Sequence, residues 1–213
     1  MGILMPSDFI SIAEQSGLIN RIGIAVFRKA VADFTEINRV SDQGVFVSIN
    51  ISSRQLLQND IVADISSIIK EHEFDPNLLR IEVTESMVME NPEHATQILK
   101  RIKSLGVGTS LDDFGTGYSS LSYLLRFPFD TIKIDKSFVQ ARMQHERLVI
   151  LRSIIGLAHN LNQTIIAEGV EYESDVTDLI QLGCEFAQGY FFAEPMKLEE
   201  AISMVLEEVQ EQS

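Results

Sequence analysis

Residues 108–120 read Gly-Thr-Ser-Leu-Asp-Asp-Phe-Gly-Thr-Gly-Tyr-Ser-Ser. The run Gly108–Asp112 has strand character and ends on two adjacent carboxylates, Asp112 and Asp113, before a loop of Phe114, Gly115, Thr116, Gly117, Tyr118 and Ser119. Glycines permit tight turns and close backbone approach, and Ser119 or Ser120 can cap a following short helix. Taken alone, the segment is compatible with an ordinary strand-to-helix turn. What gives it weight is that the rest of the chain repeats its plan.

Working outward, five more β-branched runs alternate with segments of helical period: Val45–Ile51, Leu79–Thr84, Thr131–Ile134, Thr164–Ala167 and Phe186–Gly189. Helices are predicted near 60–72, 92–104, 119–126, 144–160, 173–182 and 197–210, with Asn91-Pro92 as a start signal and Gly106 and Gly183 as stops. Strands alternating with helices predict a parallel sheet with crossover helices. Residues 6–40 read as a helical preamble, with Ser7 or Asp8 as a cap and a break at Gly17 before a second helix from about Asn20. Strand counting alone leaves an open doubly wound sheet and a (β/α)8-type barrel both available. Each strand, however, carries a polar residue at or just past its C-terminal end: Asn50, Glu82 with Glu85, Asp112 with Asp113, Lys133 with Asp135, Glu168 with Glu171, and Gln188. A barrel gathers those ends on one face, whereas an open sheet spreads them along a line, so the pattern favours the barrel.

At 213 residues the chain suits one domain, with preamble 1–40, βα repeats 41–196 and an acidic C-terminal helix 197–213. A hydrophobic fraction of 45% and a charged fraction of 23% exclude disordered and fibrous classes. No apolar run approaches the ~20 residues of a membrane span, and a cytoplasmic location is expected. The net charge is −14, and residues 153–213 carry twelve acidic residues against one basic residue, Lys197. Such a balance disfavours extended nucleic acid, which needs clustered Lys and Arg. The patch Lys100-Arg101-x-Lys103 reads as a solvated helix face. The lone Cys184 excludes an internal disulfide and a Cys-rich zinc site, and reads as a small buried residue. His72, His94, His145 and His159 lack metal-ligand spacing and fall on predicted helices. Phe186, Tyr190, Phe191 and Phe192 are expected in the core or packed at a sheet edge, with stacking of a ring on guanine as the other reading.

Asn50, Glu82, Asp112, Asp113 and Glu168 offer hard oxygen ligands, which suit Mg²⁺ or Mn²⁺ better than zinc. Adjacent carboxylates at Asp112-Asp113 allow one side chain to bridge two ions, as in two-metal phosphoryl hydrolysis, and Lys133 can hold a phosphate or a water nearby.

At this point the chain resembles a known family. Glu82-Val83-Thr84-Glu85-Ser86, Asp112 to Ser120, Lys133-Ile134-Asp135, Ala167-Glu168-Gly169-Val170-Glu171, Gln188-Gly189-Tyr190 and Asn50-Ile51-Ser52 are similar to the ordered motifs of EAL-domain cyclic-di-GMP phosphodiesterases. The resemblance runs essentially from Pro6 to Pro195. It implies a modified TIM barrel that hydrolyses cyclic di-GMP to linear pGpG with two Mg²⁺ or Mn²⁺ ions. By the same resemblance, Asn50, Glu82 and Asp112 hold one ion, and Asp112 bridges to a second held by Asp113 and Glu168. Lys133 positions the attacking water and Glu168 assists its deprotonation. Gln188 and Glu171 support the site or the substrate, and Glu85 steadies the loop after Asp113.

The family's Glu-Ala-Leu signature strand and the strand before it have no match from Met1 onward. The expectation is therefore a barrel of about six strands lacking its first two, with weakened metal binding and impaired turnover. Such an edge is expected to drive homo-oligomer formation. The rival reading is a non-catalytic EAL-like module that binds cyclic di-GMP or a protein partner.

Overall fold

Six short runs, most of them rich in β-branched and aliphatic residues, form the strands of one parallel sheet in sequence order: β1 Val47–Asn50, β2 Leu79–Thr84, β3 Gly108–Phe114, β4 Thr131–Ile134, β5 Thr164–Ala167 and β6 Phe186–Ala187. The computed structural model describes residues 4–41, 45–57, 60–115, 126–140 and 144–211. The preamble is α1 Pro6–Ser16 and α2 Ile19–Val40. Helices α3 Ser53–Leu56, α4 Ile61–Glu71, α5 Glu85–Glu90, α6 Pro92–Lys103, α7 Lys136–Val139, α8 Gln144–Asn160, α9 Glu173–Leu182 and α10 Leu198–Glu211, with a single 3-10 turn at Pro76–Leu78, complete the described elements. The sheet curls into an incomplete TIM-like barrel with helices outside it. Among the described residues, no helix is long and apolar enough to cross a membrane.

Register explains where the core sits. Ile49, Ile81, Ile132 and Ile165 lie on the helix-facing side, and Ile81, Ile132 and Ile165 are fully buried. Each contributes about 2 kcal/mol relative to exposure. The concave side instead carries the row Asn50, Glu82, Ser110, Thr131 and Thr164, aligned strand by strand. At the lower end of this face, Phe46 meets Phe186 edge-on with ring centroids 5.9 Å apart, and Arg80 stacks its guanidinium 3.9 Å from the Phe46 ring centre. Phe46, the residue before β1, thus meets Phe186 of β6 ring to ring, and α10 packs on α2.

Most expected boundaries hold within two residues, and Asn91, Gly106 and Gly183 behave as expected. Asn91 accepts a hydrogen bond from the His94 N–H at 3.2 Å, and both glycines take positive φ. Several expectations change. Met5, rather than Ser7 or Asp8, caps α1, and the Asp8 carboxylate accepts from the Met5 N–H at 2.9 Å. Helices α3, α5 and α7 were not expected, being too short to show a helical period. The helix expected at 119–126 falls almost wholly outside the described residues.

Strand β6 ends at Ala187, and Phe186, Tyr190, Phe191 and Phe192 are 45, 67, 43 and 46% exposed. The expected core burial therefore fails, because β6 pairs on one side only; edge packing holds for Phe186 against Phe46. Cys184 is half-buried, its Sγ donates to the Phe186 carbonyl, and burial pushes its thiol pKa up to about 11, so it is a poor nucleophile near neutral pH.

Buried Arg147 on α8 joins three elements. Its Nη1 donates to the Val139 carbonyl at the end of α7 (2.6 Å) and to Asp175 at the start of α9 (2.9 Å), and its Nη2 pairs with Asp178. Removing one partner of a buried pair leaves an uncompensated charge. Arg147→Met is expected to lower unfolding free energy by about 3 kcal/mol, measured by urea denaturation; a loss within error of zero would contradict this role.

Candidate metal centre

The strand ends converge on Lys133. Its Nζ lies 2.7 Å from Glu82, 3.2 Å from Asp112 and 2.6 Å from Glu168, so β4 supplies a cation to carboxylates from β2, β3 and the end of β5. The Lys133 and Glu82 side chains are only 4% exposed. Asn50 Nδ2 donates to the same Glu82 oxygen at 3.1 Å, and Gln188 Nε2 donates to Glu168 at 2.7 Å.

Asp112 and Asp113 are neighbours in a strand, where successive side chains normally point to opposite faces. The chain resolves this conflict with a β-bulge. Pairing with β4 runs Leu111↔Ile132 and then Phe114↔Ile134, which inserts one extra residue on β3, and Asp113 takes φ 54°. Aspartate tolerates this left-handed conformation better than bulkier residues. As a result Asp112, Asp113 and Glu168 each bring a carboxylate oxygen within 4.8 Å of the others.

Burial would lower the pKa of Lys133, but Glu82, Glu168 and Asp112 outweigh it and the ammonium is held above the ordinary lysine range. Burial raises Glu168, only partly offset by its hydrogen bond to Lys133, and Asp112 and Glu82 raise it further. Burial also raises Asp113, with repulsion from Asp112 next in importance. The two partners of the Lys133–Glu168 pair shift in the same upward direction from different causes: burial dominates at Glu168 and outweighs its bond to Lys133, whereas at Lys133 the surrounding acids outweigh burial. The donor set is hard oxygen with an excess of negative charge, which fits Mg²⁺-like cations. Among the described residues, Asp112, Asp113 and Glu168 form the group whose oxygens lie close enough together to hold one such ion, while Glu82 and Asn50 sit beside it, Glu82 bonded to both Asn50 and Lys133.

The remaining expected residues lie around this centre. Glu85, buried at the start of α5, accepts from the Gly115 N–H at 3.3 Å. Phe114 is buried, and Gly115 (φ 94°) abuts the Phe138 ring, where a Cβ would come within 2.7 Å. Glu171 is outside the carboxylate cluster; it accepts from Gln140 Nε2 at 2.9 Å. Thr116, Gly117, Tyr118 and Ser119 lie outside the described residues. A cavity of about 510 Å³ opens beside Glu168, lined in part by Lys136, Gln140, Glu171, Gln188 and Tyr190. Lys136 and Gln140 escaped sequence reasoning, because they follow a strand end on a helix of one turn.

The EAL domain family matches residues 1–195. The chain belongs to the EAL-domain family. It is 39% identical over 204 residues to signaling protein YkoW of Bacillus subtilis, covering 95% of this chain and 25% of that protein. It is 40% identical over 200 residues to the cyclic di-GMP phosphodiesterase PdeR of Escherichia coli, covering 92% and 30%. This EAL chain thus spans about a quarter to a third of the length of these curated relatives. Among solved structures, the PaMucR phosphodiesterase in complex with c-di-GMP superposes with a TM-score of 0.88 at 35% identity, covering 93% of this EAL chain and 81% of that one.

Lys133→Met would leave Glu82, Asp112 and Glu168 without their shared cation. In the presence of a chelator it is expected to lose about 3 kcal/mol of stability. Added Mn²⁺ should then raise its melting temperature more than that of the unaltered chain, because the ion takes over the missing positive charge. Equal Mn²⁺-induced shifts in thermal melts of the two proteins would count against this.

Proposed function

We propose that the chain is a phosphodiesterase domain that hydrolyses cyclic di-GMP to pGpG. The observation that carries this reading is the convergence of Glu82, Asp112 and Glu168 on the Lys133 ammonium, with Asn50 bonded to Glu82 and Asp113 grouped with Asp112 and Glu168, in a family whose relatives include named cyclic di-GMP phosphodiesterases. Mg²⁺ or Mn²⁺ ions, when bound by these residues, supply charge neutralisation at the phosphodiester and activation of the attacking water.

The chain's own groups do the rest. Asn50 gives its amide hydrogen to Glu82, leaving its carbonyl oxygen for a cation. Lys133 orients the water toward phosphorus, and Glu168 takes the proton that the water releases as the new P–O bond forms and the bond to the leaving ribose oxygen breaks. That oxygen takes a proton from solvent, and the ring opens to the linear dinucleotide. Gln188, bonded to Glu168, limits the directions that carboxylate can adopt. Glu85 holds the backbone beyond the acidic pair through the Gly115 amide.

The decisive experiment is incubation with cyclic di-GMP and Mn²⁺, followed by chromatography for pGpG. Turnover is expected, with Asp112→Asn reducing it at least about a hundredfold, as loss of a charged ligand does at such sites. Tight binding of the dinucleotide without turnover would instead support a non-catalytic sensing module.

The sheet also supports pairing between copies. Among the described residues β1 and β6 each have one strand partner; the Phe46–Phe186 contact brings these two edges together without joining them in a backbone ladder, and unpaired strand edges recruit further chains. Concentration-dependent dimerisation is expected in light scattering coupled to size-exclusion chromatography; a monomer throughout the micromolar range would refute it.

A further inference from the structure

The turn that carries Glu168 is held from two sides. Within the sheet, the Glu168 N–H donates to the Ile134 carbonyl at 3.0 Å, and the chain then leaves the sheet through Gly169 at φ 69°. On one side, the Val170 N–H donates to the Gln188 carbonyl at 3.1 Å. On the other stands α7, directly after the strand that bears Lys133. It approaches so closely that a Cβ on Gly169 would lie 2.4 Å from the Lys136 Cβ. Helix α7 is itself fixed by Arg147, which binds the Val139 carbonyl and Asp175.

Gln140 closes this second side. It is the C-terminal cap of α7, its own N–H donating to the Lys136 carbonyl at 2.8 Å. Its side-chain Nε2 donates to the Gly169 carbonyl at 2.8 Å and to the Glu171 carboxylate at 2.9 Å. Both partners are acceptors only, so the amide has one workable orientation and both of its hydrogens are used. The two acceptors flank Val170, on the segment that begins with Glu168.

We propose that Gln140 is a positioning residue: it ties α7 to the Gly169–Glu171 turn and so fixes the Glu168 carboxylate relative to Lys133 and the metal-holding acids. The proposal rests on the reading of Glu168 as a metal ligand. Residues that orient ligands from behind commonly cost about tenfold or more in metal affinity when replaced. Gln140 acts through the backbone, and its bonds are exposed, which puts the expected effect at about three- to tenfold.

The test uses the full chain and two variants close to glutamine in length, Gln140→Met and Gln140→Glu, both without its donors. Hydrogen exchange of the segment 167–172 is measured together with Mn²⁺ affinity, read from the free ion by electron paramagnetic resonance, and with the melting temperature. Both variants should exchange faster in that segment and bind Mn²⁺ about three- to tenfold more weakly, Gln140→Glu the more so because its charge faces Glu171, with little change in melting temperature. Unchanged exchange and Mn²⁺ affinity in both variants would overturn the proposal. So would a loss confined to Gln140→Glu, which would trace to added charge instead of lost donors. If the unaltered chain binds no Mn²⁺, the metal reading falls separately. Gln140 is then judged by exchange alone: faster exchange in both variants upholds its positioning role, and equal protection overturns it. Absence of pGpG formation in the unaltered chain bears on the proposed substrate and leaves these readouts intact.

Discussion

Taking the Lys133 ammonium out of water carries a large desolvation penalty, and the surrounding carboxylates of Glu82, Asp112 and Glu168 offset it. Those acids come from three different stretches of chain, so the charge on one lysine constrains the relative placement of β2, β3, β4 and the end of β5. Three carboxylates against one ammonium already leave the region negative, and Asp113 adds a fourth. A concave face built this way is held together by attraction at its centre while it retains excess negative charge. Cohesion of the sheet and surplus negative charge at its centre are two results of the same arrangement.

How much of this the sequence revealed depended on the length over which each feature is encoded. Most of the strands were readable because each is a short local run of β-branched and aliphatic residues, β6 being carried by its place in the alternation with helices. The polar ends were readable because they fall at a fixed place in each run. Asn91 and Gly183 were readable because caps are written in one or two residues. The meeting of Asp112 with Asp113 was legible only as adjacency. Ordinary strand alternation would separate the pair, and the extra residue that reunites them is a property of pairing between β3 and β4, which no local pattern encodes. Gln140 was invisible for a similar reason: its partners lie near residue 170, and nothing around it marks a glutamine as anything but a surface residue. The aromatics after β6 misled in the other direction. Their composition argues for a core, but burial requires a neighbouring layer, and the flanking strand has one on a single side.

Close backbone approach matters here as much as chemically active side chains do. Gly169 admits α7 to within a distance no side chain would tolerate, and a Cβ on Gly189 would lie 2.2 Å from the Val170 carbonyl oxygen. These two glycines let the segment after β5 be gripped from both sides while its glutamate projects toward Lys133. The chemistry of Glu168 is therefore set partly by residues that carry none.

The packing of α10 on α2 acquires a different meaning when the order of events along the chain is considered. Most contacts in a βα repeat link neighbours in sequence, whereas this one joins the helix before β1 to the helix after β6. Its formation must absorb the closure entropy of nearly the whole intervening chain, unless the sheet has already curled and brought the helices together. Closure entropy thus favours forming this helix pair after the strands between them have assembled. Destabilising that helix pair should chiefly accelerate unfolding and leave the folding rate nearly unaltered, which makes the seam a determinant of how long the folded state persists.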